Sequence, residues 1–341
     1  MQTKYPIFDR FPALRAIPRA ELCTLPSPVQ SLAFLADDLW IKRDDLNAPL
    51  CGGNKVRALE FLLGGMSEGD SVVTVGGTGS THILATALHA ARIGVSTWGV
   101  RWAHEMNPIA TEVSTRIEDL LGTCAIHMLP VVPILRARAR AVLRKSRYIP
   151  VGGSVPLGVL GHINSALELA AQIENGELPV PERVVVPMGT GGTAAGLLLG
   201  FAIAGLDIEL VGVRTGPRAF ANKRAVLSLA KKTQRMINAA CDMQIDAVHA
   251  DKMRVVHSAY GGAYGRPVAG SREMKKKLFD QTGIVLDDTY TAKAWAGLLA
   301  ERKSFTGPML FWYTFDPSCL TSSQSTSIPA TATPRAMSIT R

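Results

Sequence analysis

The chain is sparing with cysteine and shows no metal-binding pattern. Its five cysteines, Cys23, Cys51, Cys124, Cys241 and Cys319, are odd in number and scattered over 341 residues, with no C-x-x-C pair and no Cys/His ligand spacing. That argues against a disulfide framework, leaves no candidate metal site, and makes a reducing, cytoplasmic setting the expectation. The first residues, Met-Gln-Thr-Lys-Tyr-Pro, lack an apolar run, so no secretory signal is expected. Charged residues make up only 19% against 47% hydrophobic, which rules out global disorder and allows a large core, enough for two ordinary domains. Aromatics are scarce at 6%, and none interleave with the basic run Arg136, Arg138, Arg140, Arg144, Lys145 and Arg147. Despite a formal charge of +9, that run and Lys275–Lys277 therefore read as solvated helix faces, and no nucleic-acid partner is expected. The uncharged stretch from Val184 to Leu206 is long enough to cross a bilayer, but Pro187, Gly189, Gly191 and Gly192 interrupt it. It reads as a buried strand, loop and helix, with no membrane span. No internal repeat is present.

What is there alternates. Strand-like runs at Leu39–Arg43, Ser71–Val75, Ser96–Val100, Arg183–Val186 and Ile208–Val213 are separated by helical patterns at 83–93, 109–121 and from Thr193 onward. Apolar strands between helices predict parallel sheets covered on both faces, an α/β architecture. The Gly/Pro-rich segment 148–162 reads as a crossover between domains. From Pro317 the chain turns to Ser and Thr with few large apolar residues, a composition expected not to pack.

Two local features carry chemistry. The first is Cys51-Gly52-Gly53-Asn54-Lys55, followed at once by the helical pattern Val56, Leu59, Leu62 and Leu63. A lysine in the first turn of a helix is disfavoured as a cation by roughly 0.3–1 kcal/mol. The same position suits a lysine that must be neutral and nucleophilic. The second is the loop Gly189-Thr190-Gly191-Gly192-Thr193 between a strand and a helix. Its successive backbone N–H groups and the helix start form an anion cradle for a phosphate, without saying which phosphate. The string also satisfies a dinucleotide fingerprint with Glu209 as the ribose-binding acid. Glu209, however, falls at the start of the next strand, and Arg214 stands at its carboxyl end where that acid belongs.

A helix-start lysine followed much later by a phosphate loop resembles the order in fold-type-II pyridoxal-phosphate enzymes. The branch it resembles holds D-cysteine desulfhydrase and 1-aminocyclopropane-1-carboxylate deaminase. The matching stretches are Trp40–Leu46, Gly52–Lys55, Gly76–His82, Val151–Ser154 with Pro156–Gly158, the loop 189–196, Gly262–Gly265 and Leu286–Thr291, in family order over roughly residues 8 to 314.

The resemblance implies two open, mostly parallel twisted sheets flanked by helices, like the tryptophan-synthase β chain. Residues 1–50 and 163–316 would form the larger domain, 51–162 the smaller one, and 317–341 a disordered tail. It implies pyridoxal 5'-phosphate, held by Lys55 as a Schiff base, with Asn54, Thr81, Gly189, Thr190, Gly191, Gly192, Thr193 and Thr314 around it. Lys55 would also move the Cα proton. Ser80 and the amides of Thr78, Gly79, Ser80, Thr81 and His82 would hold the substrate carboxylate, while Tyr264 and Tyr290 would handle its side chain or leaving group. Such enzymes act on small amino acids and are commonly homodimers.

The chain departs from the family at Gly79, Thr81 and Leu84, which replace Gln, Asn and Arg, and at His162, which replaces Tyr. After Thr314 the usual Gly-Gly gives way to Phe315-Asp316-Pro317. Thr291 is the desulfhydrase residue where deaminases carry Glu. The expected activity is β-elimination from D-cysteine to pyruvate, ammonia and sulfide. Cyclopropane ring-opening to 2-oxobutyrate, or cofactor binding without catalysis, are the alternatives.

Overall fold

A computed structural model describes residues 4–122 and 126–320. The strands are β1 (Val29–Ser31), β2 (Leu39–Arg43), β3 (Ser71–Gly77), β4 (Ser96–Trp102), β5 (Ile126–His127), β6 (Arg147–Ile149), β7 (Arg183–Met188), β8 (Glu209–Arg214), β9 (Met253–Val256) and β10 (Met309–Tyr313). The helices are α1 (Pro6–Arg10), α2 (Asn54–Leu62), α3 (Thr81–Ala91), α4 (Pro108–Leu121), α5 (Val131–Leu143), α6 (Pro156–Glu174), α7 (Gly192–Ile203), α8 (Lys223–Cys241), α9 (Ser271–Thr282) and α10 (Thr291–Arg302).

The strands form two sheets. A six-stranded sheet has the order β1-β2-β10-β7-β8-β9, and a four-stranded sheet the order β5-β4-β3-β6. Only the β1–β2 pairing among them is antiparallel. The β-branched run Val184–Val186 is wholly buried because helices cover both faces of its sheet. Helix α7 is apolar almost all round, and ten of its residues from Gly192 to Phe201 are buried, as a helix sandwiched inside the protein must be.

The sequence places β2, β3, β4, β7, β8, α2, α3, α4 and α7 to within a few residues. The structure carries β3 and β4 two residues further, to Gly77 and Trp102, and starts α6 at Pro156, inside the segment expected to be crossover. The short strands β1, β5, β6 and β9 carry no sequence pattern long enough to predict them. The stretch around Val184–Leu206 is indeed strand, loop and helix, and no helix among the described residues is long and apolar enough to cross a membrane. The tail expectation is corrected over its start: Pro317–Leu320 form a 3-10 turn with Cys319 buried. Residues 321–341 lie outside the described residues.

Candidate active site

Carboxyl ends of parallel strands, and the helix starts that follow them, converge on one cavity of about 360 Å³. Lys55 enters from the first turn of α2. The turn before it needs Gly53 at φ 118, where a Cβ would come within 2.4 Å of the Thr314 carbonyl oxygen. Gly53 donates its N–H to the Asp44 carbonyl at 2.7 Å and also reaches Asn47 Oδ1 at 3.0 Å. Two residues beyond Lys55, the Arg57 guanidinium reaches Asp44 at 2.6 Å and Glu168 at 3.0 Å. Lys42 reaches the same Glu168 at 2.6 Å, and Trp312 Nε1 donates to Asp44 at 2.8 Å. All four ionic side chains are at most 2% exposed. Burial alone would raise the Glu168 carboxyl; Arg57 and Lys42 override it and hold it at about 2.

Burial lowers the Lys55 amine to about 8, so it gives up its proton far more readily than an exposed lysine does. His82 and His162 lie close enough to feel its charge. Burial first, and Lys55 second, push both imidazoles down to about 3, and both are neutral. Asn54 Nδ2 donates to Thr193 Oγ1 at 2.8 Å, tying the start of α2 to the start of α7.

The glycine loop caps α7. Gly191 is left-handed at φ 84, and Gly189, Thr190, Gly191, Gly192 and Thr193 all line the cavity. The close approach has a partner that the sequence reading missed. Ser154 Oγ lies 2.6 Å from Thr190 Oγ1, and a Cβ on Gly192 would come within 2.7 Å of it. Backbone amides, a helix start and clustered hydroxyls form a cradle that fits a phosphate. A dinucleotide does not fit: Glu209 sits at the far end of β8, paired with Arg183 at 2.6 Å and Arg254 at 2.7 Å.

Ser80 caps α3, its Oγ accepting from Ile83 N–H at 3.4 Å, which leaves its O–H proton to donate into the cavity. The expected role of the 78–82 amides needs correcting. Thr78 N–H is bonded to the Trp102 carbonyl at 2.9 Å, Ser80 N–H to the Gly77 carbonyl at 3.1 Å, and Gly79 N–H to His104 Nε2 at 3.2 Å. Thr78 and Gly79 do not line the cavity, whereas Ser80, Thr81 and His82 do. The anion donors left are the Ser80 hydroxyl and the first amides of α3.

Opposite stand Tyr264 and Tyr290, edge to face at 5.7 Å, with their hydroxyls hydrogen-bonded to each other. Burial raises Tyr290 to about 12 and Tyr264 well above its ordinary value, so both stay protonated. The Thr81 side chain also bonds to Tyr290. Thr314 lines the cavity just beyond β10. Thr291 does not: it is fully buried, with its hydroxyl on Asp287 at 2.7 Å. His104 and Asn107, on the β4–α4 turn, were not singled out from sequence. The available signal was their place at the carboxyl end of a parallel strand. Among the described residues, no group of three or more His, Cys, Asp or Glu side chains is arranged to hold a metal ion.

A buried lysine of lowered basicity beside a phosphate cradle, on two mostly parallel sheets, fits one class: an enzyme built to hold a phosphorylated aldehyde cofactor on an amine. The chain belongs to the family of pyridoxal-phosphate-dependent enzymes, whose model matches residues 21–313, and its cofactor is pyridoxal 5'-phosphate. It is 33% identical to a D-cysteine desulfhydrase of Salmonella paratyphi A over 326 residues, covering 88% of this chain and 94% of that protein. It is 32% identical to a putative 1-aminocyclopropane-1-carboxylate deaminase of Pyrococcus abyssi over 316 residues, covering 88% and 92%. Among solved structures it resembles an ACC deaminase homologue with a TM-score of 0.74 and 28% identity, covering 93% of this chain and 95% of that one. Threonine deaminase isoform 2 from Solanum lycopersicum, at a TM-score of 0.58 and 18% identity with 91% and 84% covered, shares the fold alone. The fold is that of the fold-type-II pyridoxal-phosphate enzymes.

Proposed function

We propose that this enzyme is a lyase that removes a β-substituent from a small amino acid, D-cysteine foremost, giving pyruvate, ammonia and sulfide. The observation that carries the reading is the convergence of Lys55, the Ser80–His82 helix start and the hydrogen-bonded Tyr264–Tyr290 pair on one cavity. The similarity to a D-cysteine desulfhydrase supports it.

Bound through the lysine amine, pyridoxal phosphate supplies an electron sink for the pair left when a Cα proton departs. Loop 189–193, with Ser154, holds the phosphate. Asn54 and Thr193 steady the lysine's helix against that loop. Lys55 Nζ, in its neutral form, would take the Cα proton. Ser80 and the Thr81 and His82 amides hold the carboxylate. The Tyr264–Tyr290 pair, kept protonated by burial, delivers a proton to the departing sulfur. Thr314, which lines the cavity, would offer the cofactor ring a neutral partner. Thr291 favours desulfhydration over ring-opening, since it is turned onto Asp287 and offers the cavity no carboxylate. The larger-domain and smaller-domain division at 51–162, a homodimeric state, a cytoplasmic setting and the absence of a nucleic-acid partner belong to the same proposal.

The test is 2-oxo-acid release by the cofactor-loaded protein given D-cysteine, L-cysteine, β-chloro-D-alanine and 1-aminocyclopropane-1-carboxylate separately. Pyruvate and sulfide from D-cysteine are the expected result. 2-Oxobutyrate from the cyclopropane substrate alone would assign the deaminase instead. A yellow protein that converts none of them would overturn the lyase and leave a cofactor-binding homologue.

A further inference from the structure

We infer that His104 is a positioning residue that fixes the carboxylate-holding loop against the tyrosine wall. It thereby sets the distance between the two ends of the substrate. The inference rests on the proposed roles of Ser80–His82 and of the tyrosines.

The hydrogen bonds dictate the ring's chemistry. A backbone N–H can only donate, so His104 Nε2, 3.2 Å from Gly79 N, is the acceptor and carries no proton. The proton is on Nδ1, which donates to the Glu105 carbonyl at 2.7 Å. The imidazole is therefore neutral and held in one tautomer. Its edge meets Tyr264 at 4.7 Å between centroids, nearly perpendicular at 80°. Gly77 lets the ring lie on the end of β3, because a Cβ there would come within 2.5 Å of His104 Cδ2. One side chain thus touches the carboxylate loop through Gly77 and Gly79 and the tyrosine wall through Tyr264, while lining the cavity between them.

Its own backbone is anchored on the tyrosine side. The Glu105 carbonyl lies so close over Gly265 that a Cβ there would come within 1.6 Å of it. Asn107, 5% exposed, donates from Nδ2 to the Gly265 carbonyl and to Thr289 Oγ1, both at 2.9 Å. Arg266 pairs with Glu105 at 2.9 Å. The turn after β4 is stitched to the segment that presents Tyr264, and His104 carries that hold on to the Gly79 amide. No other side chain bonds the Gly79 amide among the described residues. Removing the acceptor leaves an unpaired amide and a loop free to shift.

Two variants separate the bond from the ring. H104F keeps an aromatic ring against Gly77 and Tyr264 and loses the acceptor; H104Q keeps an acceptor and loses the ring. In H104F, hydrogen exchange over residues 76–83 is expected to speed up about five-fold, as loss of one ordinary hydrogen bond implies. H104Q should exchange like the parent. Binding of propanoate by titration calorimetry should weaken about five-fold in H104F, while propanamide is unaffected. For D-cysteine, KM should rise by the same factor with kcat within about two-fold, and Gln should restore it. Parental exchange in H104F, a fall in kcat at unchanged KM, or failure of Gln to restore would each overturn the inference. If H104F does not fold, H104N, too short to reach Gly79, takes its place in every reading. Exchange and propanoate binding need no turnover, so they still decide the matter if none of the amino acids proves to be a substrate.

Discussion

The two sides of the cavity are built by opposite means. Beneath Lys55, Arg57, Asp44, Glu168 and Lys42 form a cluster of charges at most 2% exposed, drawn from β2, the turn after it, α2 and α6. Across from it, Tyr264 and Tyr290 are presented by turns, braced by Asn107, by Asp287 on the Tyr290 amide at 2.8 Å, and by Lys293 on the Ala263 carbonyl at 2.7 Å. The lysine side is fixed by fully desolvated charge, which tolerates no displacement because any broken pair strands an ion in the core. The tyrosine side is fixed by single hydrogen bonds to backbone, each worth about 0.5–1.5 kcal/mol. A group that must meet a cofactor at one point sits on the first. The groups proposed to receive a substrate side chain and let it go sit on the second.

The comparison can be broken most severely from below. Arg57→Ala strands Asp44 and Glu168 and should cost about 3–5 kcal/mol in denaturant unfolding; a loss under 1 kcal/mol would show the cluster to be dispensable. The same cluster sets an acid limit. Glu168 is held at about 2 in the fold against its ordinary 4.5, so between those values the unfolded chain binds the extra proton. Stability is therefore full above pH 4.5 and falls as the pH drops towards 2. Glu168→Gln should flatten that slope in unfolding curves taken at successive pH values, whatever it does to the level at neutral pH.

Lys55→Ala should leave the fold intact, abolish the borohydride-reducible link to the cofactor, and lower turnover by about 10²–10⁴-fold. A reducible link that survives would move the cofactor's attachment elsewhere. On the tyrosine side, Asn107→Ala removes two hydrogen bonds from a buried amide and an N-cap acceptor on Ala110 N–H, and should cost about 1–3 kcal/mol. Its effect on kcat/KM should exceed that of any exposed substitution on α5. Smallest is Ser80→Ala. Its cap bond is long at 3.4 Å, so the stability loss should be near the lower end of about 0.5–2 kcal/mol, while KM for the amino acid rises. Calorimetric melting alongside steady-state kinetics separates the two effects.

What the sequence disclosed follows the range of the interactions involved. The helix start that carries Lys55 is legible because its signal is local: two glycines, an Asn and the onset of a helical period within ten residues. The loop 189–193 was legible for the same reason. Strand ends at Gly76–Gly77 were read too short because glycine carries no strand preference, although those residues pair with Arg101 and Trp102. His104 was illegible because its meaning lies in Gly79 and Tyr264, one 25 residues before it and the other far beyond. The amides of Thr78 and Gly79 were misassigned because nothing local reveals that Trp102 and His104 already occupy them. Arg57 reads as an ordinary helix arginine until Glu168 arrives from α6, 111 residues later.

The position of β10 has a consequence for how the protein is made. This strand comes after every other strand of its sheet in the chain, yet it lies in the middle of that sheet, pairing Met309 with Leu39 on one side and Arg183 on the other. Until it arrives, β2 and β7 have no common neighbour, and Trp312 cannot reach Asp44. During synthesis, β2 and β7 therefore present open edges until β10 emerges, and Asp44 waits until then for its Trp312 partner. That places closure of the larger sheet after the emergence of β10, and it gives chaperones that shield unpaired edges a physical reason to bind the growing chain.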